Sequence, residues 1–414
     1  MKAAIITVGD EILIGQVSDS NAVWIAQQLN DIGIRIGEMV TVSDDPEQIT
    51  DTLDRYFGHY NLLLMTGGLG PTKDDLTKQT LADYFGDRMV VNEEIQQKIK
   101  EYFSLRGRNV IPSNLEQANV PESCEVLSNE NGTAPGMWFE KDGTILISMP
   151  GVPYEMKGIM TDHVLPKLSL RFKTPEIVHK TIMTQGLPES YLAAMIKNWE
   201  SDLPSCAKLA YLPKPGIVRL RLTLSGKCAA DSKVLLEEEV NKLLDIISVH
   251  VFGYDDILLE QVLGDELRQR KLTVAVAESC TGGNIAHMIT NVSGSSDYFR
   301  GSIVAYQNDL KVDKLGVEPN VIKNFGAVSQ EVVEQMVNGA MKSMDSETGI
   351  ATSGIAGPFG GTDEKPVGTT WISVAWKEKV YSQKFLFNGN RERIIDQASI
   401  TAINLLRRLV IGTL

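Results

Sequence analysis

LLLMTGGLGPTKDDLT, residues 62–77, runs a short, wholly apolar stretch into a glycine-rich turn that ends in two aspartates. Such a run suits a strand buried on both faces, as strands of parallel sheets are. Working back towards the start, RIGEMVTV (35–42) and AAIITV (3–8) read as two further strands. Between the three runs lie NAVWIAQQLNDIG (21–33), a helix stopped by Gly33, and PEQITDTLDRYF (46–57), a second helix. Strand, helix, strand, helix, strand is a βαβ series. It predicts an α/β fold with a parallel sheet covered on both faces, whose sites lie in loops at the carboxyl ends of the strands.

Working forward, the character changes near residue 170. EIVHKTIMTQG (176–186) is extended, ESYLAAMIKNWE (189–200) is helical, KLAYLPKPGIVRLRLTLSG (208–226) is a strand pair, and DSKVLLEEEVNKLLDII (231–247) is a helix. That mixture predicts a small α+β module with no catalytic constellation of its own, serving as a spacer or interface; VFGYDDI (251–257) reads as the join to the C-terminal domain. The α/β pattern then restarts with the helix DILLEQVLGDELRQRK, the strand LTVAVA, later strands TGIATSG and TTWISVAWK, and a terminal helix from Arg391. The expected division is 1–168, 169–252 and 253–414, in keeping with a length of 414 residues.

Forty Lys and Arg against 53 Asp and Glu give a net charge of −13, which disfavours nucleic acid as the main partner. The start of the chain lacks the pattern of a secretory signal and no run is long enough to span a bilayer, so a cytoplasmic protein without a membrane partner is expected. Four scattered cysteines without a CxxC pair read as reduced thiols, and five histidines without HxxxH spacing argue against a transition-metal site.

AESCTGG, residues 277–283, follows a strand and opens a helix. The turn exposes Ser279 and leaves the first helical amides unpaired, where an anion or developing oxyanion can be held. A Ser/Thr cap before a helix is the plain alternative. YQNDLKVDKLG (306–316) adds Tyr306 and Lys311 just after an apolar stretch. A desolvated lysine can serve as the base that a serine nucleophile needs. No histidine is well placed for that part, since His287 lies two turns into the helix after Ser279. SGIAGPFGGTDEKPVGT (353–369), with five glycines and two prolines, reads as a binding loop, and the absence of GxxxxGK[ST] argues against a P-loop ATPase.

Together with GAVS (326–329), these motifs resemble the C-terminal domain of the CinA family, known as nicotinamide-nucleotide amidase. The resemblance implies hydrolysis of nicotinamide mononucleotide to nicotinate mononucleotide and ammonia, without a cofactor. It carries Ser279 over as nucleophile and Lys311 and Tyr306 as proton-transfer partners. Thr281, Gly282, Gly283, Ser353, Gly354 and Gly357 are the substrate-binding candidates. Cys280 is a rival nucleophile that sits one residue past the turn.

TVGDEIL (7–13) with GQVSDSN (15–21), and TGGLGPTKDDLT (66–77), occupy the first and third strand-to-helix turns. Neighbouring turns would bring Asp10, Glu11, Asp74 and Asp75 to one crevice, with Gly67, Gly68 and Gly70 admitting phosphates to the backbone. Clustered carboxylates beside a phosphate site suit a hard cation; as a bland alternative, the aspartates only match the helix dipole. With MPGVPYEM (149–156), these motifs resemble the molybdopterin-binding fold, and within it the N-terminal domain of full-length CinA proteins. The resemblance implies a metal-dependent ADP-ribose pyrophosphatase giving AMP and ribose 5-phosphate, with a divalent ion of the Mg²⁺ or Co²⁺ type, or potassium besides, and a homodimer. Two other readings stand beside it: an N-terminal domain that binds molybdopterin, and a partner-binding protein associated with competence and DNA damage.

Overall fold

The computed structural model describes residues 2–72, 75–172, 177–225 and 232–414. The chain divides into two compact units, the first Met1–Ile177 with Ser225–Lys227, the second Val178–Leu224 with Cys228–Leu414.

The first unit is built on a six-stranded sheet, in the order Arg35–Val42, Lys2–Val8, Leu62–Thr66, Thr144–Met149, Gly136–Lys141, Glu125–Leu127. The first four run parallel, as the apolar runs predict. Gly136–Lys141 is antiparallel to both its neighbours, so the sheet is mixed and not parallel throughout. A turn of only two residues separates Lys141 from Thr144, and a connection that short can only reverse the chain. Leu62, Leu63, Leu64 and Met65 are fully buried, divided between two apolar clusters on the two faces of the sheet. The flanking helices start on side-chain caps: Asp19 accepts from the amide of Ala22 at 2.9 Å, and Asp45 from those of Glu47 and Gln48, just ahead of Pro46.

The second unit holds two sheets. In the smaller, the strands Ala207–Lys214, Ile217–Ser225, Ile177–Gln185 and Val251–Tyr254 lie side by side in that order, backed by the helices Glu189–Ser201 and Ser232–Ile247. The segment read as a join therefore contributes a strand, antiparallel to Ile177–Gln185. The larger sheet has the order Phe299–Val304, Val274–Glu278, Thr348–Gly354, Thr369–Trp376, Lys379–Leu386; its first three strands are parallel, and Thr369–Trp376 is antiparallel to both its neighbours.

The small module is more than a spacer. Met183 and Phe252 lie in one apolar cluster with Leu263, Ile403 and Leu406 of the larger domain. Buried polar groups are paired across the same boundary: Gln185 Nε2 donates to Thr401 Oγ1 at 3.2 Å, and Asn404 Nδ2 donates to Gln185 Oε1 at 2.5 Å. Both partners sit on the helix Arg391–Ile411, which thus connects the module to the rest of the unit.

The reading of every cysteine as a reduced thiol is corrected at Cys206, which is disulfide-bonded, whereas Cys124 and Cys280 are free. No described helix is long and apolar enough to cross a membrane.

Candidate active sites

The strand Val274–Glu278 delivers Ser279 to the carboxyl edge of the larger sheet, where its amide donates to Thr352 O of the next strand at 3.0 Å. Ser279 faces a cavity of about 300 Å³ that is also lined by Lys311, Tyr306, Ser353, Gly354 and Arg391. The three motifs expected to converge therefore do so. Among the described residues, nothing in the protein accepts from or donates to the Ser279 hydroxyl.

Lys311 is only 1% exposed. Its ammonium donates to the carbonyls of Ala305 at 2.9 Å and Tyr306 at 3.3 Å, which fix its position. Burial lowers its pKa from the ordinary lysine value, against smaller opposing effects of Cys280 and Asp309. A lysine so placed sheds its proton more readily than a surface one.

The Tyr306 hydroxyl makes no hydrogen bond to Lys311. It is 52% exposed, and its hydroxyl accepts from Arg391 Nη2 at 2.7 Å. Arg391 Nη1 donates to Gly357 O at 2.8 Å. Arg391 opens the 21-residue terminal helix behind its cap Asn390 and was not singled out in the sequence. An arginine directly after an asparagine cap was the available signal.

The expectation of free amides in the first turn of the helix is corrected. The carboxylate of Glu278 accepts from the amides of Gly283, Ile285 and Ala286, so these are engaged before any substrate arrives. Gly283 takes a φ of 103°, a region that side chains other than glycine's enter at a cost, and stands as the cap residue without a side chain to offer. Thr281 is buried and pairs with Thr352 through their hydroxyls at 2.8 Å. Neither Thr281, Gly282 nor Gly283 lines the cavity, whereas Ser353, Gly354 and Gly357 do. Ser353 donates to Ala327 O at 2.7 Å, and Lys365 ties the glycine-rich loop to the carbonyls of Phe325 and Val328. Cys280 touches the cavity, but burial pushes its thiol up to about 12, leaving little thiolate to attack.

In the first unit the turns after Lys2–Val8 and Leu62–Thr66 are neighbours, because those strands pair directly. Gly67 has a φ of 115°, and a Cβ there would stand 2.0 Å from Val8 O, so only glycine lets the two turns approach. MPGVPYEM joins them: Gly67 donates to Met149 O at 3.0 Å, and Asn21 Nδ2 donates to Gly151 O at 2.7 Å. Asp75 Oδ2 accepts from the amide and hydroxyl of Thr72. Gly70 lies against the Asp75 carboxylate, and Gly68 against Thr77 and Asp44.

Asp44, not anticipated from the sequence, completes this group. It follows the strand Arg35–Val42 and accepts from the amide of Asp10 at 3.1 Å. Burial raises its pKa; the nearby charges of Asp10, Glu11 and Asp75 push the same way, while the Asp10 amide opposes them. Asp74 lies outside the described residues. Among the described residues, no three Asp, Glu, His or Cys side chains are grouped as ligands for one metal ion. Lys78 borders a separate polar cavity of about 300 Å³ beside Asp75, donating to Gln117 O at 2.9 Å; burial lowers its pKa to about 8.

Three family models match the chain. "CinA C-terminal domain" covers residues 257–410, "Probable molybdopterin binding domain" covers 4–170, and "Damage-inducible protein CinA KH domain" covers 179–253. A CinA-like protein of Flavobacterium psychrophilum is 47% identical, over 99% of this chain and 99% of its own length. One of Cytophaga hutchinsonii is 45% identical, over 98% of this chain and 97% of its own. A crystal structure of a competence/damage inducible protein from Agrobacterium tumefaciens is 35% identical, covering 36% of this chain and 93% of that one at a TM-score of 0.36.

Proposed function

The chain belongs to the CinA family, and from that premise we propose that its C-terminal domain hydrolyses the amide of nicotinamide mononucleotide, giving nicotinate mononucleotide and ammonia. The observation that carries this reading is the buried Lys311, its pKa lowered by burial, lining one cavity with the unpaired hydroxyl of Ser279. In the reaction Ser279 Oγ attacks the amide carbonyl as its proton passes to neutral Lys311 Nζ. The same proton then goes to the departing nitrogen, the C–N bond breaks, ammonia leaves, and an ester to Ser279 remains. Water, deprotonated by Lys311, attacks that ester; the proton returns to Ser279 and the acid is released. Arg391, held by Tyr306 and Gly357, supplies the fixed positive charge that a nucleotide phosphate calls for. Ammonia release from nicotinamide mononucleotide by the purified chain tests this reading.

For the N-terminal domain the same proposal extends to hydrolysis of ADP-ribose to AMP and ribose 5-phosphate. The charges of Asp10, Glu11 and Asp75 all act to keep Asp44 protonated, a repulsion that a divalent cation would relieve. A cation of the Mg²⁺ type needs only one or two protein carboxylates when substrate phosphates complete its shell, so Asp44 and Asp75, with Asp10 beside them, fit it in that restricted sense. Bound there, it would polarise the phosphoryl group. The match to the molybdopterin-binding model favours a second reading, binding of a pterin. Pterin fluorescence in the purified chain, with no cleavage of ADP-ribose, would decide for it.

A further inference from the structure

Glu278 ends the strand Val274–Glu278, and its side chain is fully buried. One carboxylate oxygen accepts from the amides of Gly283 at 2.9 Å and Ile285 at 3.1 Å. The other accepts from the amide of Ala286 at 3.0 Å and the hydroxyl of Ser302 at 3.1 Å. A helix start ordinarily has its first amides satisfied by a capping side chain or by water. Here the cap residue is Gly283, which has none, and a carboxylate from five residues earlier takes its place.

The consequence falls on Ser279. The turn from Ser279 to Gly283 is closed at both ends by one residue, whose backbone is fixed in the sheet and whose side chain grips the helix. Ser302 anchors the same carboxylate to the neighbouring strand Phe299–Val304. We propose that Glu278 is the positioning residue for the nucleophile: its carboxylate sets the turn so that the Ser279 hydroxyl faces the cavity that Lys311 lines. It touches no substrate. Its negative charge also fills the place at the helix start where an anion would otherwise settle, so a nucleotide phosphate has to be met elsewhere in the cavity. This inference rests on Ser279 being the nucleophile.

The test uses the full chain and three readouts: hydrogen exchange of peptides covering residues 279–290, the rate at which a fluorophosphonate labels Ser279, and kcat with KM for ammonia release. Glu278→Gln keeps the side chain's shape but offers one acceptor oxygen and sets an NH₂ group against the amides. A folded Glu278→Gln should exchange faster over those residues, and both labelling and kcat should fall by about 10²-fold with KM little changed, as expected for a misplaced reacting group. Accelerated exchange with labelling and kcat near wild type would overturn the proposal, since it would make Glu278 structural only. If Glu278→Gln does not fold, Glu278→Asp and Ser302→Ala carry the test: slower labelling in both supports the proposal, and unchanged labelling in both overturns it. Wild-type labelling without ammonia release would refute the substrate but leave the role of Glu278 standing. No labelling of the wild type would overturn both.

Discussion

The hydroxyl of Tyr306 accepts a hydrogen bond of 2.7 Å from the guanidinium of Arg391, 85 residues away in the chain. With its second bond to Gly357 O, Arg391 links the segment after Phe299–Val304, the glycine-rich loop and the start of the terminal helix. A pre-oriented guanidinium of this kind is a ready partner for a phosphate. Arg391→Ala should therefore raise KM for nicotinamide mononucleotide by about 10- to 100-fold, the size of a lost charge-assisted hydrogen bond. Steady-state kinetics on the mononucleotide and on its dephosphorylated nucleoside check this; equal losses on both would detach Arg391 from the phosphate.

Lys311 must be neutral to take a proton, and burial lowers its pKa in the folded protein. Activity should therefore rise with pH through a value below that of an ordinary lysine and level off above it. The pH profile of kcat measures this. Lys311→Met should lower kcat by about 10²- to 10⁴-fold, the usual contribution of general acid–base catalysis.

At the N-terminal site Asp44 has a raised pKa, so the ionised form is lost on acidification sooner than for an ordinary carboxylate. Protons compete with the cation for Asp44, so the cation concentration that gives half-maximal release of AMP from ADP-ribose should rise as pH drops through that raised value. Asp44→Asn and Asp75→Asn should each reduce the release by at least about tenfold, measured at saturating cation and substrate.

Lys78 titrates at about 8 in the folded protein, below the ordinary value of 10.5. Between those values the unfolded chain holds more protons than the folded one, so this group makes stability rise with pH. The burial penalty is fully present below about pH 8 and gone above about 10.5. The difference in unfolding free energy between wild type and Lys78→Met, taken from urea melts, should shift in the wild type's favour across that window. A difference independent of pH would mean that Lys78 is not desolvated as the structure has it.

Much of this was legible in the sequence because it is local. Apolar runs such as AAIITV and LLLM mark buried strands directly, and Gly33 marks the stop of the helix before it, whereas the caps Asp19 and Asp45 emerge only in the structure. Ser279, Lys311 and the loop from Ser353 were found through motifs, and the parallel strands Val274–Glu278, Phe299–Val304 and Thr348–Gly354 account for their meeting at one sheet edge. What stayed hidden was pairing over distance. Arg391 lies on a helix far from the motif it completes, and Asp44 follows a strand adjacent only in space. Glu278 stood inside a quoted motif, yet its reach to Gly283 and Ala286 depends on a turn whose course no periodicity reveals. The mixed sheet of the first unit stayed hidden for a different reason: its hairpin, Gly136–Lys141 with Thr144–Met149, lies well past the βαβ series that predicts parallel strands.

The most direct test is ammonia release from nicotinamide mononucleotide by wild type, Ser279→Ala and Cys280→Ala side by side, with circular dichroism as the measure of intact protein. The account predicts release by wild type and by Cys280→Ala, and a loss of at least about 10³-fold in Ser279→Ala, as when a covalent nucleophile is removed. Full release by Ser279→Ala, or none by wild type, would contradict it.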